Sequence, residues 1–110
     1  MKKNFNVFEN LFEVGDILIE NKGDLAVYVG CTFVDNMGSV FYEVVEVTDT
    51  EILTRKLKQK YTVLFRAEDY ATVMHTIPCP GEYQSEETFR LNIHVNEYNH
   101  YWYDIDECVA

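Results

Sequence analysis

Apolar and polar residues alternate with a period of two along most of this chain, and turn-forming residues interrupt the alternation at short intervals. Asp16 to Glu20 reads as a strand entered through Gly15, and Asn21-Lys22-Gly23-Asp24 reads as a turn. Leu25 to Val34 predicts a second strand, with Gly30 marking a bulge or bend inside it. Val40 to Val47 is apolar on both of its alternating sets, the pattern of a central strand covered on both sides. Thr48-Asp49-Thr50 then predicts a tight hairpin into Glu51 to Lys58, followed by a further strand at Tyr61 to Phe65.

A short helical turn fits Arg66 to Tyr70, and no long helix fits anywhere. Pro78-Cys79-Pro80-Gly81 should block both helix and ladder and form an ordered loop. Thr88 to Val95 alternates cleanly, with Leu91, Ile93 and Val95 on one face and Arg90, Asn92 and His94 on the other. An aromatic strand from Tyr98 to Ile105 follows it. The expected architecture is mainly β with little helix. It is a single acidic domain over residues 1–110, built as a small SH3-like barrel with a C-terminal strand extension. The first five strands of that barrel are expected between Asp16 and Phe65. Closure would also remove most of the adhesive strand edges.

Composition supports a packed domain, since 47% of the 110 residues are hydrophobic and 15% are aromatic. The formal net charge of −10 disfavours direct binding to nucleic acid or anionic membrane and favours a basic partner. The charge is segregated. Residues 55–67 hold Arg55, Lys56, Lys58, Lys60 and Arg66 with no acid, between two acidic stretches. A solvated strand face whose lysines offset nearby carboxylates is the plain explanation of that strip. The three cysteines (Cys31, Cys79, Cys108) have no C-x-x-C spacing, and no apolar run approaches a membrane span. The expectation is a cytoplasmic protein with reduced thiols.

Several segments together carry a resemblance. They are Val14-Gly15-Asp16-Ile17-Leu18, Phe41 to Thr48 (F-Y-E-V-V-E-V-T), Leu53-Thr54-Arg55-Lys56-Leu57, Pro78-Cys79-Pro80-Gly81-Glu82-Tyr83 and Phe89-Arg90. In this order they resemble a family of small, largely uncharacterised phage and mobile-element proteins. Those open on a Gly-Asp strand, continue with a Phe-Tyr-x-Val-x-x-Val strand, and later carry a Pro-x-x-Gly loop before a Phe-Arg pair. Where that family has a Trp-Gly-Tyr-type segment, Asn36-Met37-Gly38-Ser39 stands here. The resemblance implies an SH3-like fold and a phage or mobile-DNA context, and it supplies no catalytic residues.

The chemical constellations are sparse. His75 and Cys79 lie four apart and His94 and His100 follow, but zinc needs three or four converging ligands, so no metal is expected and the histidines read as solvated or hydrogen-bonded. Cys31 sits in an apolar strand and reads as packed. Cys79, the remaining nucleophile candidate, lies in acidic surroundings that would raise a thiol pKa. The carboxylate pairs Glu43 with Glu46, Glu86 with Glu87, and Asp104 with Asp106 are expected by chance in so acidic a chain. Asp104 and Asp106 share a strand face and read as a charged, exposed edge. No Gly-rich phosphate loop occurs, and neither cofactor nor catalytic residue is expected.

Tyr98, Tyr101, Trp102 and Tyr103 cannot all face one core, because alternate side chains point to opposite faces of a strand. Tyr and Trp dominate interface hot spots. The sequence therefore predicts a partner-binding surface of Tyr98, Tyr101, Trp102, Tyr103, Asp104 and Asp106, with a second acidic group at Glu82, Glu86 and Glu87. The expected function is non-enzymatic inhibition of a basic, nucleic-acid-binding host protein such as a defence effector. That is the anti-CRISPR or anti-restriction type of activity, with carboxylates imitating phosphates. The alternatives are a nucleotide- or metabolite-binding module between the Arg55–Lys60 strip and the C-terminal aromatics, and a virion or morphogenesis adaptor. A homo-oligomer formed without a partner would favour the adaptor reading.

Overall fold

A computed structural model of the chain describes residues 11–30, 38–98 and 100–108, the side chains of Val73, Glu107 and Cys108 excepted. It is built of seven strands: β1 (Ile17–Asn21), β2 (Asp24–Val27), β3 (Val40–Val47), β4 (Ile52–Arg66), β5 (Ala71–Tyr83), β6 (Phe89–Val95) and β7 (Tyr101–Cys108). Every pairing among them is antiparallel. Sheet order is β3-β1-β2-β7-β6-β4-β5, and an additional β3–β4 pairing closes six of the strands partly into a ring. The ring is thinnest where β2 meets β7 through the single pair Leu25–Tyr103.

Local chemistry accounts for the reversals. Lys22 and Gly23 both take positive φ, at 56° and 90°, which matches the twist of a two-residue hairpin between β1 and β2. Between β3 and β4 the Thr48 hydroxyl accepts hydrogen bonds from the backbone N–H groups of Thr50 at 3.2 Å and Glu51 at 3.1 Å. The β4–β5 reversal uses Asp69, which pairs with Arg66 and accepts from the Ala71 N–H at 3.1 Å, while Tyr70 takes φ 56°.

Alternation places Leu18, Val44, Ile52 and Leu91 inside the ring with Phe12, and the partly buried Leu25, Val47, Ile93, Tyr103 and Ile105 pack around them. Phe41 and Tyr42 are both buried, so β3 is covered on both sides as its sequence predicts. Desolvation, then the nearby Glu20 carboxylate, pushes the Tyr42 phenol up to about 12. A register shift between Val44 and Glu46 breaks the alternation of β3. It sets Glu46 opposite Leu53 on the same side of the β3–β4 pair as Glu43 opposite Arg55, with Glu43 buried and Glu46 exposed.

Several sequence expectations need correction. Four strands, not five, lie between Asp16 and Phe65 among the described residues, because Ile52 to Arg66 is one continuous strand. β2 ends at Val27, and positions 31–34 of the expected second strand lie outside the described residues. Arg66 to Tyr70 forms a strand end and a hairpin turn in place of a helical turn. Pro78 to Gly81 lies within β5: Pro78 pairs with Gln59, and the register shift between Leu57 and Gln59 takes up the residues that follow. The C-terminal strand starts at Tyr101 and is a member of the ring between β2 and β6, so it is neither an extension nor an edge. Among the described residues no helix is long and apolar enough to cross a membrane.

Candidate partner-binding surface

The outer face of β6 and β7 gathers a cluster of polar and aromatic side chains. The register pairs Asn92 with Asp104 and His94 with Trp102, while Leu91–Ile105 and Ile93–Tyr103 point the other way. Asn92 Nδ2 donates to Asp104 Oδ1 at 2.7 Å and to Asp106 Oδ1 at 2.8 Å. His94 Nε2 lies 2.8 Å from Asp104 Oδ2, and Arg90 reaches Asp106 and Glu51, each at 3.3 Å. The His94 ring stacks nearly parallel on Trp102, with centroids 5.2 Å apart and an 18° interplanar angle. The result is a half-exposed indole stacked on His94, which itself meets Asp104, with Asp106 and Glu51 farther along the same network through Asn92 and Arg90.

Hydrogen bonds from Asn92 first, and then from His94, hold the Asp104 carboxyl below the usual carboxylate range. A depressed folded pKa gives stability that is present above the unfolded value of 3.8 and lost as pH falls through the folded value. The melting temperatures of the wild type and Asp104→Asn are therefore expected to converge as pH falls from about 5 to below the folded value of Asp104. Thermal melts across that window check this, and a constant gap would contradict it.

The rings of the C-terminal segment divide between two faces. Trp102 is on the outer face with Asp104 and Asp106. Tyr103 points inward, packed edge-on against Phe12 with centroids 5.4 Å apart. Tyr101 pairs with Val95 on the same side as Tyr103 and is exposed there at the end of the strand. Tyr98 is exposed in the β6–β7 turn, where the Asn96 side-chain oxygen accepts from the backbone N–H groups of Tyr98 at 2.8 Å and His100 at 3.1 Å. The structure thus joins Trp102, Asp104 and Asp106 and separates Tyr103 from them.

Glu82, Glu86 and Glu87 lie at and after the end of β5, on the connection that enters β6 at Phe89. Trp102 pairs with His94 near the other end of β6, about 17 Å along the strand, so these are two acidic groups rather than one. Arg55 organises the connection: its Nε and Nη2 donate to the Ser85 carbonyl at 3.2 and 2.6 Å, and its guanidinium lies 3.9 Å over the Tyr83 ring. The Tyr83 hydroxyl donates to the buried Glu43 at 2.5 Å, which raises the Tyr83 pKa. Lys56 rests 5.3 Å over the Phe89 ring and Arg66 pairs with Asp69, while Lys58 and Lys60 are exposed. The basic strip of the sequence is therefore spread over both faces of β4.

His75, expected to be solvated or hydrogen-bonded, is buried with Nε2 making no hydrogen bond. Cys79 is a half-buried free thiol, and the side chains of Cys31 and Cys108 lie outside the described residues. No group of three or more potential metal ligands gathers among the described residues. The Arg90-Asn92-His94 half of the outer face was missed as part of the site. Its signal was the polar alternation of β6, which becomes informative only when paired against the acids of β7. Comparison with family models, with curated proteins and with solved structures finds no match to this chain.

Proposed function

We propose that this chain is a non-enzymatic binding protein that inhibits a basic, nucleic-acid-binding host protein, docking through the outer face of β6 and β7. The observation that carries this reading is Trp102, half-exposed yet stacked on His94 beside Asp104. A large ring already held in one orientation avoids much of the ordering cost of docking, about 0.5–1.5 kcal/mol for each immobilised side chain. Asp104 and Asp106, fixed by Asn92, His94 and Arg90, present negative charge in a set geometry next to that anchor. The net charge of −10 steers a basic groove towards it. In this reading the partial ring is a small SH3-like barrel, and the resemblance to phage proteins supplies the anti-defence setting.

The test is capture of the partner from a bacterial lysate on the immobilised protein, followed by competition. The captured protein is expected to be basic and to release bound DNA or RNA as this protein is added. A partner that keeps its nucleic acid at saturating inhibitor would overturn the proposed mechanism.

A further inference from the structure

His94 sits where the outer face of β6 and β7 carries both its aromatic anchor and its charge. β6 pairs with β4 only over Phe89 to Leu91, so β7 is the strand beside His94. The His94 ring stacks on Trp102, and its Nε2 lies 2.8 Å from Asp104 Oδ2. An ionised carboxylate only accepts hydrogen bonds, so Nε2 carries the hydrogen and Nδ1 is the atom that takes up or releases a proton. The side chains of His94 and Asp104 are 40% and 56% exposed, so solvent reaches the pair. Asn92 joins Asp104 to Asp106, and Arg90 joins Asp106 to Glu51. On the other side of β7, Leu25 of β2 pairs with Tyr103 and packs inward, which puts the adjoining, exposed Asp24 on the outer face. The β6–β7 turn adds exposed Glu97 and His100, the latter with its ring 6.5 Å from that of Tyr98.

Histidine is the side chain whose ordinary charge change falls between about pH 5 and 8. With His94 neutral, Asp104, Asp106, Glu51 and Arg90 leave the bonded network two charges negative; a proton on His94 leaves it one charge negative. The anchor keeps its place in that step, because an imidazolium also stacks on an indole face and pairs with Asp104. We infer that His94 is a proton-controlled regulator of the outer face, which takes basic partners while His94 is neutral and loses affinity for them when it is protonated. This regulation rests on the reading of that face as a docking surface for basic proteins. Linkage makes it reciprocal: a basic ligand seated there drives the proton off His94 by the same factor.

Octa-arginine, a basic ligand that does not titrate in this range, is the probe. Its binding is followed by NMR on the His94 ring and on the indole N–H of Trp102, the one tryptophan of the chain. Wild type is expected to bind about two- to fivefold more weakly at about pH 5.5 than at about pH 7.5, the effect of one exposed charge. The peptide should also lower the midpoint of the His94 titration. His94→Gln, which still donates to Asp104 but takes no proton, should show no such difference while keeping His75 and His100. A pH dependence that survives His94→Gln would overturn the inference. So would a wild type of equal affinity at both pH values with the indole signal still responding, a result that spares the docking face. An indole signal that octa-arginine moves at neither pH would overturn the inference and the docking reading together.

Discussion

Ile52→Ala is expected to destabilise the protein by about 2–5 kcal/mol, the largest loss of any single truncation argued for this fold. Ile52 is fully buried and opens β4 at the point where the register places it against Val47 of β3 and Leu91 of β6. Its side chain thus lies at the closure of the ring, in one buried cluster with Leu18, Val44 and Leu91. Domains of this size have about 5–15 kcal/mol of total stability, so the variant loses a large part of it. At roughly 4–8 °C for each kcal/mol, the melting temperature should fall by more than about 10 °C. Val63→Ala is the control: Val63 is apolar but exposed on the β4–β5 hairpin, and its loss should cost less than about 0.5 kcal/mol. Equal effects of the two substitutions would place the core elsewhere.

That contrast shows what a single sequence makes legible. The alternation of Thr88 to Val95 separated inward Leu91 and Ile93 from outward Arg90, Asn92 and His94, because one strand's period decides it. Ring closure depends instead on β3 finding β4 and β2 finding β7, pairings between positions far apart in the chain that no local pattern encodes. β5 was hidden by Pro78 and Pro80, which suggest a loop; Pro78 is accommodated in β5 beside the register shift that the β4–β5 pair makes there. The charge of residues 55–67 was legible as composition. Its division over two faces of β4 was not, because a run of like charge says nothing of where each side chain ends.

The candidate site was half legible for the same reason. Alternation requires Trp102 and Tyr103 to face opposite ways, but which of them meets the core is decided by Phe12 and by the β6 register. That assignment leads to the second large effect. Trp102→Ala should weaken binding to the captured partner by about 2 kcal/mol or more, at least about tenfold in Kd, because central aromatic anchors lose that much on truncation. It should leave thermal stability nearly unchanged, since the indole is half-exposed and stacks on the outer-face His94. Tyr103→Ala should do the opposite, lowering the melting temperature through loss of the Phe12 contact while sparing the affinity of the molecules that remain folded.

The most direct measurement is therefore a calorimetric titration of the captured partner with wild-type protein and with the Trp102→Ala and Tyr103→Ala variants, at a temperature where all three are folded. An account in which the outer face of β6 and β7 is the docking surface predicts a Kd raised at least about tenfold by Trp102→Ala and left within about twofold by Tyr103→Ala. Unchanged affinity of a folded Trp102→Ala protein would contradict it and move the interface off this face.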